Sequence, residues 1–271
     1  MTSCAYTCDP VAQAIGECTR LVKAENLDAW LSVLLAPAAA RPALLTIWAL
    51  VAETARLPWR LQEPLLARLR MEFWREAVLG EGDGQPLLRL WPPALPREDM
   101  GEALAHLALL ADGALETPDG AAEWAEETFT PLFRTLLAAV TVSRDGMRIN
   151  EHAAAAPEQP LRALARGYGL GFLLRRAAFP RSSTPAPLLS GQLAEEDTAR
   201  DLIAMSAQAH AEARRHKWPR RQLAALWPAT LLQHWLVRAE QVPGFPMKPA
   251  PMPSQAARQW RLLRHWLLGR L

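Results

Sequence analysis

Apolar positions along the chain recur at helical spacing, and no convincing period-two alternation marks a strand. Asp9-Pro10 predicts a helix start with proline at the first helical position. Asn26 is placed to cap a second helix, "LDAWLSVLLA", which stops at Pro37. Pro42 opens a third helix and Glu63-Pro64 a fourth. In the fourth, Leu65, Leu69 and Phe73 form one apolar stripe and Met71, Trp74 and Val78 another, which predicts burial on two sides. Further helices fit 100–115, 121–140, 160–178, 195–216, 222–240 and 254–270, punctuated by "TPDG", "SRDG" and "FPRSSTPAP". The pattern predicts about ten helices in one all-α domain over 1–271, with 1–9 as a loose N-terminal tail.

Composition supports this. With 271 residues, half of them apolar, the chain can bury a substantial core. Its 23 prolines lie between apolar blocks rather than in one tract, so they read as punctuation and not as disorder. No internal repeat stands out. Lysine occurs only at Lys23, Lys217 and Lys248, so arginine supplies nearly all the positive charge, as planar forks suited to carboxylates and phosphates. The charge is uneven. Residues 211–271 hold eleven Lys or Arg against Glu212 and Glu240, a net +9, which leaves −7 on the rest. Such a basic face fits an anionic partner or membrane surface, or it pairs with the acidic part of the same fold.

The three cysteines, Cys4, Cys8 and Cys18, give no disulfide framework, and with no histidine nearby they lack the four ligands of a structural zinc site. No signal segment opens the sequence, and the longest apolar run, 43–52, is too short to span a bilayer. The expected location is cytoplasmic, peripheral at an inner membrane. His106, His152, His210, His216, His234 and His265 show no metal-ligand spacing, and there is no phosphate loop or nucleophile elbow. "GYGLG" at 167–171 sits inside an apolar helix and so predicts close helix packing rather than nucleotide binding. No metal, no cofactor and no nucleic-acid partner are expected.

The blocks "LAPAAARPALLTIWAL", "LRMEFWREAV" and "GYGLGFLLRRAAF" together resemble the squalene/phytoene synthase family, from about Cys18 onward. The resemblance implies an isoprenoid-synthase-like helical bundle. Active enzymes of that family condense two prenyl diphosphates, holding magnesium against the diphosphates with two aspartate-rich motifs on facing helices. Carboxylate-held Mg²⁺ neutralises the leaving group as the C–O bond breaks. Here Trp48 and Leu50 take the aromatic and apolar places of the first motif, the paired aspartates fall at Ala55 and Arg56, and Trp59 or Arg60 stands near the next. In the second motif Phe172 takes the Asn place, Arg175 the Arg place and Arg176 the Asp place, with "FPRSSTP" replacing the remaining acids. Within 41–69 the only acids are Glu53 and Glu63, and 160–191 has none, so no slip of register restores either motif.

The degenerate pattern, with Glu53 followed by Ala55, Arg70 before Phe73-Trp74, and "SAQAHAEAR", is similar to the family's non-catalytic branch, which includes the phytoene-synthase-like assembly factor of respiratory complex I. That implies help in building the membrane-facing quinone region of NADH:ubiquinone oxidoreductase, through a complex I subunit or another assembly factor as partner. The alternative is an active prenyltransferase of isoprenoid biosynthesis.

The candidates to line the old substrate cavity are Trp48, Glu53, Arg56, Arg70, Trp74, Tyr168, Arg175 and Arg176. An apolar, lipid-like ligand with an anionic or neutral head would suit them, with Arg56, Arg175 and Arg176 as donors. The plainer reading makes Trp48, Phe73 and Trp74 core aromatics and Glu53, Arg56 and Arg60 an ordinary helix-surface ion-pair stripe. Finally, "QAARQWRLLRHWLLGRL" predicts an amphipathic helix with Leu262, Leu263, Trp266 and Leu267 on one side. Arg258, Arg261 and His265 run along another, and Arg264 adds to the basic surface. Either the basic face, with Trp266 at headgroup level, meets a membrane or partner, or the apolar face docks on the domain.

Overall fold

The computed structural model describes residues 9–61, 63–80, 85–113, 115–141, 157–178, 196–246 and 248–271. Residues 1–8 of the expected 1–9 tail with Cys4 and Cys8, His152, Glu195, "SRDG", "FPRSSTPAP" and the side chain of Trp59 lie outside the described residues, whereas Asp9 caps the first helix.

Among those described there is no strand and there are eleven α-helices: α1 (Pro10–Glu25), α2 (Leu27–Leu35), α3 (Arg41–Thr54), the single turn α4 (Leu57–Arg60), α5 (Pro64–Leu79), α6 (Glu98–Ala108), α7 (Pro118–Ala139), α8 (Glu158–Ala178), α9 (Glu196–Arg215), α10 (Leu223–Ala239) and α11 (Gln255–Leu268). Short 3-10 turns cover Pro86–Leu90 and Leu109–Asp112. The start signals act as their chemistry requires. Asp9, Asn26, Thr117 and Ser254 each accept a backbone N–H of the first turn of the helix that follows.

α5, α6, α7, α8 and α9 pack in succession, α1 packs on α3, α10 packs on α2 and α8, and α11 packs on α10 and α2. One cluster of buried apolar residues draws on every helix, from Ala14 in α1 to Leu262 in α11. α3 is buried at each position of 43–52 and again at Thr54, so it runs through the middle of that cluster. The glycines of α8 set the helix spacing. A Cβ on Gly169 would lie 2.4 Å from the Ala125 Cβ of α7, and one on Gly171 would lie 2.9 Å from Leu232 and Leu236 of α10. The run is a packing device, as its apolar setting predicts.

Two expectations fail. α5 is buried on one side only: Met71 and Val78 are in the core, while Leu65 and Leu69 are 65% and 58% exposed and Phe73 is also exposed. Periodicity shows two stripes but cannot say that only one has a neighbour. Nor do Glu53, Arg56 and Arg60 form one continuous stripe, because α3 ends at Thr54 and Arg60 belongs to the turn after it.

Candidate functional site

Where α3, α7 and α8 meet, aromatic side chains fill the interior. Tyr168 of α8 contacts Phe129 and Phe133 of α7 edge-on, at ring centroid distances of 5.0 and 5.4 Å, and Trp48 of α3 at 6.1 Å. Phe172 stacks on Phe129. Trp48 and Tyr168 are fully enclosed. The Tyr168 hydroxyl in this group accepts a hydrogen bond from Asn26 Nδ2 at 3.2 Å. Burial raises the Tyr168 pKa, so the phenol stays protonated.

One turn further along α8, Arg175 and Arg176 meet acids of the α1–α2 junction. Asp28 is buried in an otherwise apolar helix, and each of its oxygens faces a guanidinium. Arg175 Nη1 lies 3.4 Å from Oδ2, and Arg258 Nη1 of α11 donates to Oδ1 at 3.0 Å. Arg258 is held from behind by its Nε bond to the Pro253 carbonyl. Arg176 lies 3.6 Å from Glu25 and over the Phe172 ring. A cavity of about 10 Å³ beside Asp28 and Arg258 holds no more than a water-sized volume.

The other candidates sit elsewhere. Glu53 and Arg56 pair with each other. Trp74 is half-buried and meets Phe73 edge-on, and Arg70 is exposed on α5. The structure therefore brings together Trp48, Tyr168, Arg175 and Arg176, whereas Arg70 points outward.

These side chains do not fit a magnesium diphosphate. Arg56 and Arg176 stand where the family resemblance places carboxylates, and the acids nearby are taken up: Glu53 by Arg56, Glu25 by Arg176, both oxygens of Asp28 by arginine. Guanidinium in place of carboxylate reverses the field a divalent cation requires. Among the described residues no cluster of three His, Cys, Asp or Glu could hold a metal.

On α11 the buried side is not the one expected, although Leu262 is buried as its apolar stripe predicts. Arg258 and Leu262 are buried, and Arg261 and His265 half-buried, so the stripe read as polar is the one that docks. Trp260, Leu263, Leu267 and Leu268 are exposed, as are Arg264 and Trp266. The docked side brings His265 Nε2 to 3.3 Å from His234 Nε2, beside the buried His210. Burial lowers all three pKa values, that of His234 to about 4 and that of His210 to about 3. At neutral pH the rings are uncharged and share one proton donor and one acceptor.

Sequence reasoning missed Asp28 and Glu25, the bond from the helix-capping Asn26 to Tyr168, and the pairing of His234 with His265. Asp28 carried a signal, being an acid inside the apolar run "LDAWLSVLLA". Its partners lie 147 and 230 residues away, beyond the reach of local spacing.

No family model matches the sequence, and no curated relative does. Among solved structures, the chain is similar to the crystal structure of a dehydrosqualene synthase in complex with ligand, with a TM-score of 0.59 at 13% identity, over 96% of this chain and 98% of that one. The fold is thus the all-α isoprenoid-synthase fold. Among the described residues no helix is long and apolar enough to cross a membrane.

Proposed function

We propose that this chain carries the squalene/phytoene synthase fold without its prenyl-transfer chemistry, and that it assists assembly of respiratory complex I (NADH:ubiquinone oxidoreductase) at the membrane. One observation supports the non-catalytic part. Arg56 and Arg176 occupy carboxylate places, and they and Arg175 are each matched by an acid of the same chain. Without a metal, a leaving diphosphate has nothing to neutralise it, and the arginines are already spoken for. The assembly role rests on the resemblance of "LRMEFWREAV" and "SAQAHAEAR" to the non-catalytic branch. An assembly factor needs exposed contact surface, and the Leu65, Leu69 and Phe73 side of α5 offers it to a complex I subunit or another assembly factor.

Two experiments test the two parts separately. Incubation with farnesyl and geranylgeranyl diphosphate and Mg²⁺ is expected to yield no condensed hydrocarbon. Product would restore the alternative, an active prenyltransferase, which the likeness to a dehydrosqualene synthase favours. Deletion of the gene is expected to deplete assembled complex I on native gels stained for NADH oxidation. Undiminished complex would overturn the assembly role.

A further inference from the structure

A groove of about 530 Å³ opens between the start of α3 and the start of α10. Three arginines line it, Arg41, Arg220 and Arg221, and no acid among the described residues does. Its apolar wall is Leu35, Trp227 and Trp266. Two of the arginines are anchored. Arg41 Nε donates to the Ala36 carbonyl at 3.0 Å. Arg220 lies over the Trp266 ring, 5.4 Å from its centroid, and donates to the Trp266 carbonyl at 3.2 Å. Each anchor spends one N–H and leaves the other donors of the fork free. Among the described residues none of the three has an ion pair. Arg41 lies about 18 Å along α3 from Glu53 at 1.5 Å rise per residue, so the groove is at the opposite end of that helix from the family's diphosphate region.

Three unpaired guanidiniums around one open volume repel each other, and a bound anion relieves that repulsion with several charge-assisted hydrogen bonds. What the anion is attached to follows from the rim. Trp266 belongs both to the groove and to α11, whose outward side exposes Trp260, Leu263, Leu267 and Leu268. α11 has already spent its other side on Arg258 and Leu262. Tryptophan and leucine beside arginine is the composition of an element that lies in the headgroup layer.

From this we infer that the groove binds the phosphate head of an anionic phospholipid, with α11 lying along the acyl boundary and Arg41, Arg220 and Arg221 holding the phosphate. The inference rests on the membrane part of the proposed function and is independent of the complex I role.

The test is flotation of the purified full-length protein with vesicles of phosphatidylcholine alone, or of equal parts phosphatidylcholine and phosphatidylglycerol. The unmodified protein is expected to float only with the anionic vesicles. Each basic residue near such a surface contributes about fivefold in partitioning, so Arg41→Gln/Arg220→Gln/Arg221→Gln is expected to lose about a hundredfold. Arg221→Gln alone, at an exposed side chain with no bond to the described residues, is expected to lose about fivefold with the fold intact. A charge-matched Arg162→Gln/Arg166→Gln/Arg200→Gln variant is expected to keep most of its binding. Equal flotation of the groove variants and the unmodified protein would overturn the groove while leaving the membrane reading in place. No flotation by any of them overturns both. Calorimetric binding of inorganic phosphate that Arg221→Gln weakens, in a protein that does not float with the anionic vesicles, would show that the groove takes a free phosphate, and so overturns the lipid assignment.

Discussion

The two arginine groups of this protein differ in one respect, the acids around them. Arg175 and Arg258 converge on Asp28, and Arg176 meets Glu25, so the cations at the end of α8 are matched inside the fold. Arg41, Arg220 and Arg221 converge on open space with no acid among them. A count of basic residues cannot separate the two. What separates them is burial together with pairing. The matched group has become part of the core's support, while the unmatched group keeps its hydrogen-bonding capacity for something else.

The sharpest way to break this contrast is Asp28→Ala. It leaves the buried Arg258 and the half-buried Arg175 without their carboxylate, and loss of one side of a buried pair costs about 3–5 kcal/mol. Urea unfolding is expected to show a midpoint lowered accordingly. A midpoint within error of the unmodified protein would mean that the arginines were never committed to Asp28. Next in size is Gly169→Ala. The new methyl would meet the backbone Cα of Ala125 at 2.8 Å, and a backbone atom does not move aside cheaply. Overpacking of this kind costs about 1–3 kcal/mol. Thermal denaturation checks it, and an unchanged melting temperature would show that α7 and α8 are free to separate.

A third effect is that of pH on the α10–α11 contact, which carries Trp266 to the groove. His234 and His265 have folded pKa values below the ordinary 6.5, chiefly through burial and secondarily through nearby arginines such as Arg261, Arg214 and Arg264. Depressed values mean that the unfolded chain takes up protons first as pH falls. The stability is therefore complete above about pH 6.5 and drains away as pH falls toward the folded value of about 4 for His234. Melting temperatures are expected to be lower at about pH 5 than at about pH 7, with His234→Gln/His265→Gln flattening the dependence. A flat profile in the unmodified protein would count against the neutral pair. The smallest effect closes the comparison. Arg221→Gln is expected to change stability by no more than about 0.5 kcal/mol, since an exposed side chain with no partner supports nothing in the fold. A larger loss would place Arg221 with the matched group.

The helices were legible because their ends are marked by local chemistry. Asn26 and Asp9 act within three residues of themselves, so a short window of sequence contains the whole cause. The tight packing of Gly167, Gly169 and Gly171 was legible for the same reason. The all-α isoprenoid-synthase fold followed from helices of this length and order together with the quoted motifs. The sides of α5 and α11 were not legible. Both helices present more than one stripe, and the buried one is chosen by a distant neighbour. On α11 the choice falls on Arg258 because Asp28 waits for it, which no periodicity in "QAARQWRLLRHWLLGRL" encodes. Of the candidate cavity residues, Trp48 and Tyr168 were recognisable as buried aromatics. That Arg175 and Arg176 already have carboxylate partners depends on the fold bringing α2 to α8.

The Asp28 junction also places the protein's completion late in its synthesis. The acid is made first, Arg175 follows 147 residues later and Arg258 only after 230. At about 5–20 residues per second, several seconds pass during which one carboxylate oxygen has its cation and the other has only water. Through that interval α2 has α1, α3 and α10 to pack on, and only the Asp28 junction waits for α11. Chains stalled on the ribosome with Arg258 outside the exit tunnel, against chains that end before it, should differ by a gain in protease resistance of α2 when the second arginine arrives.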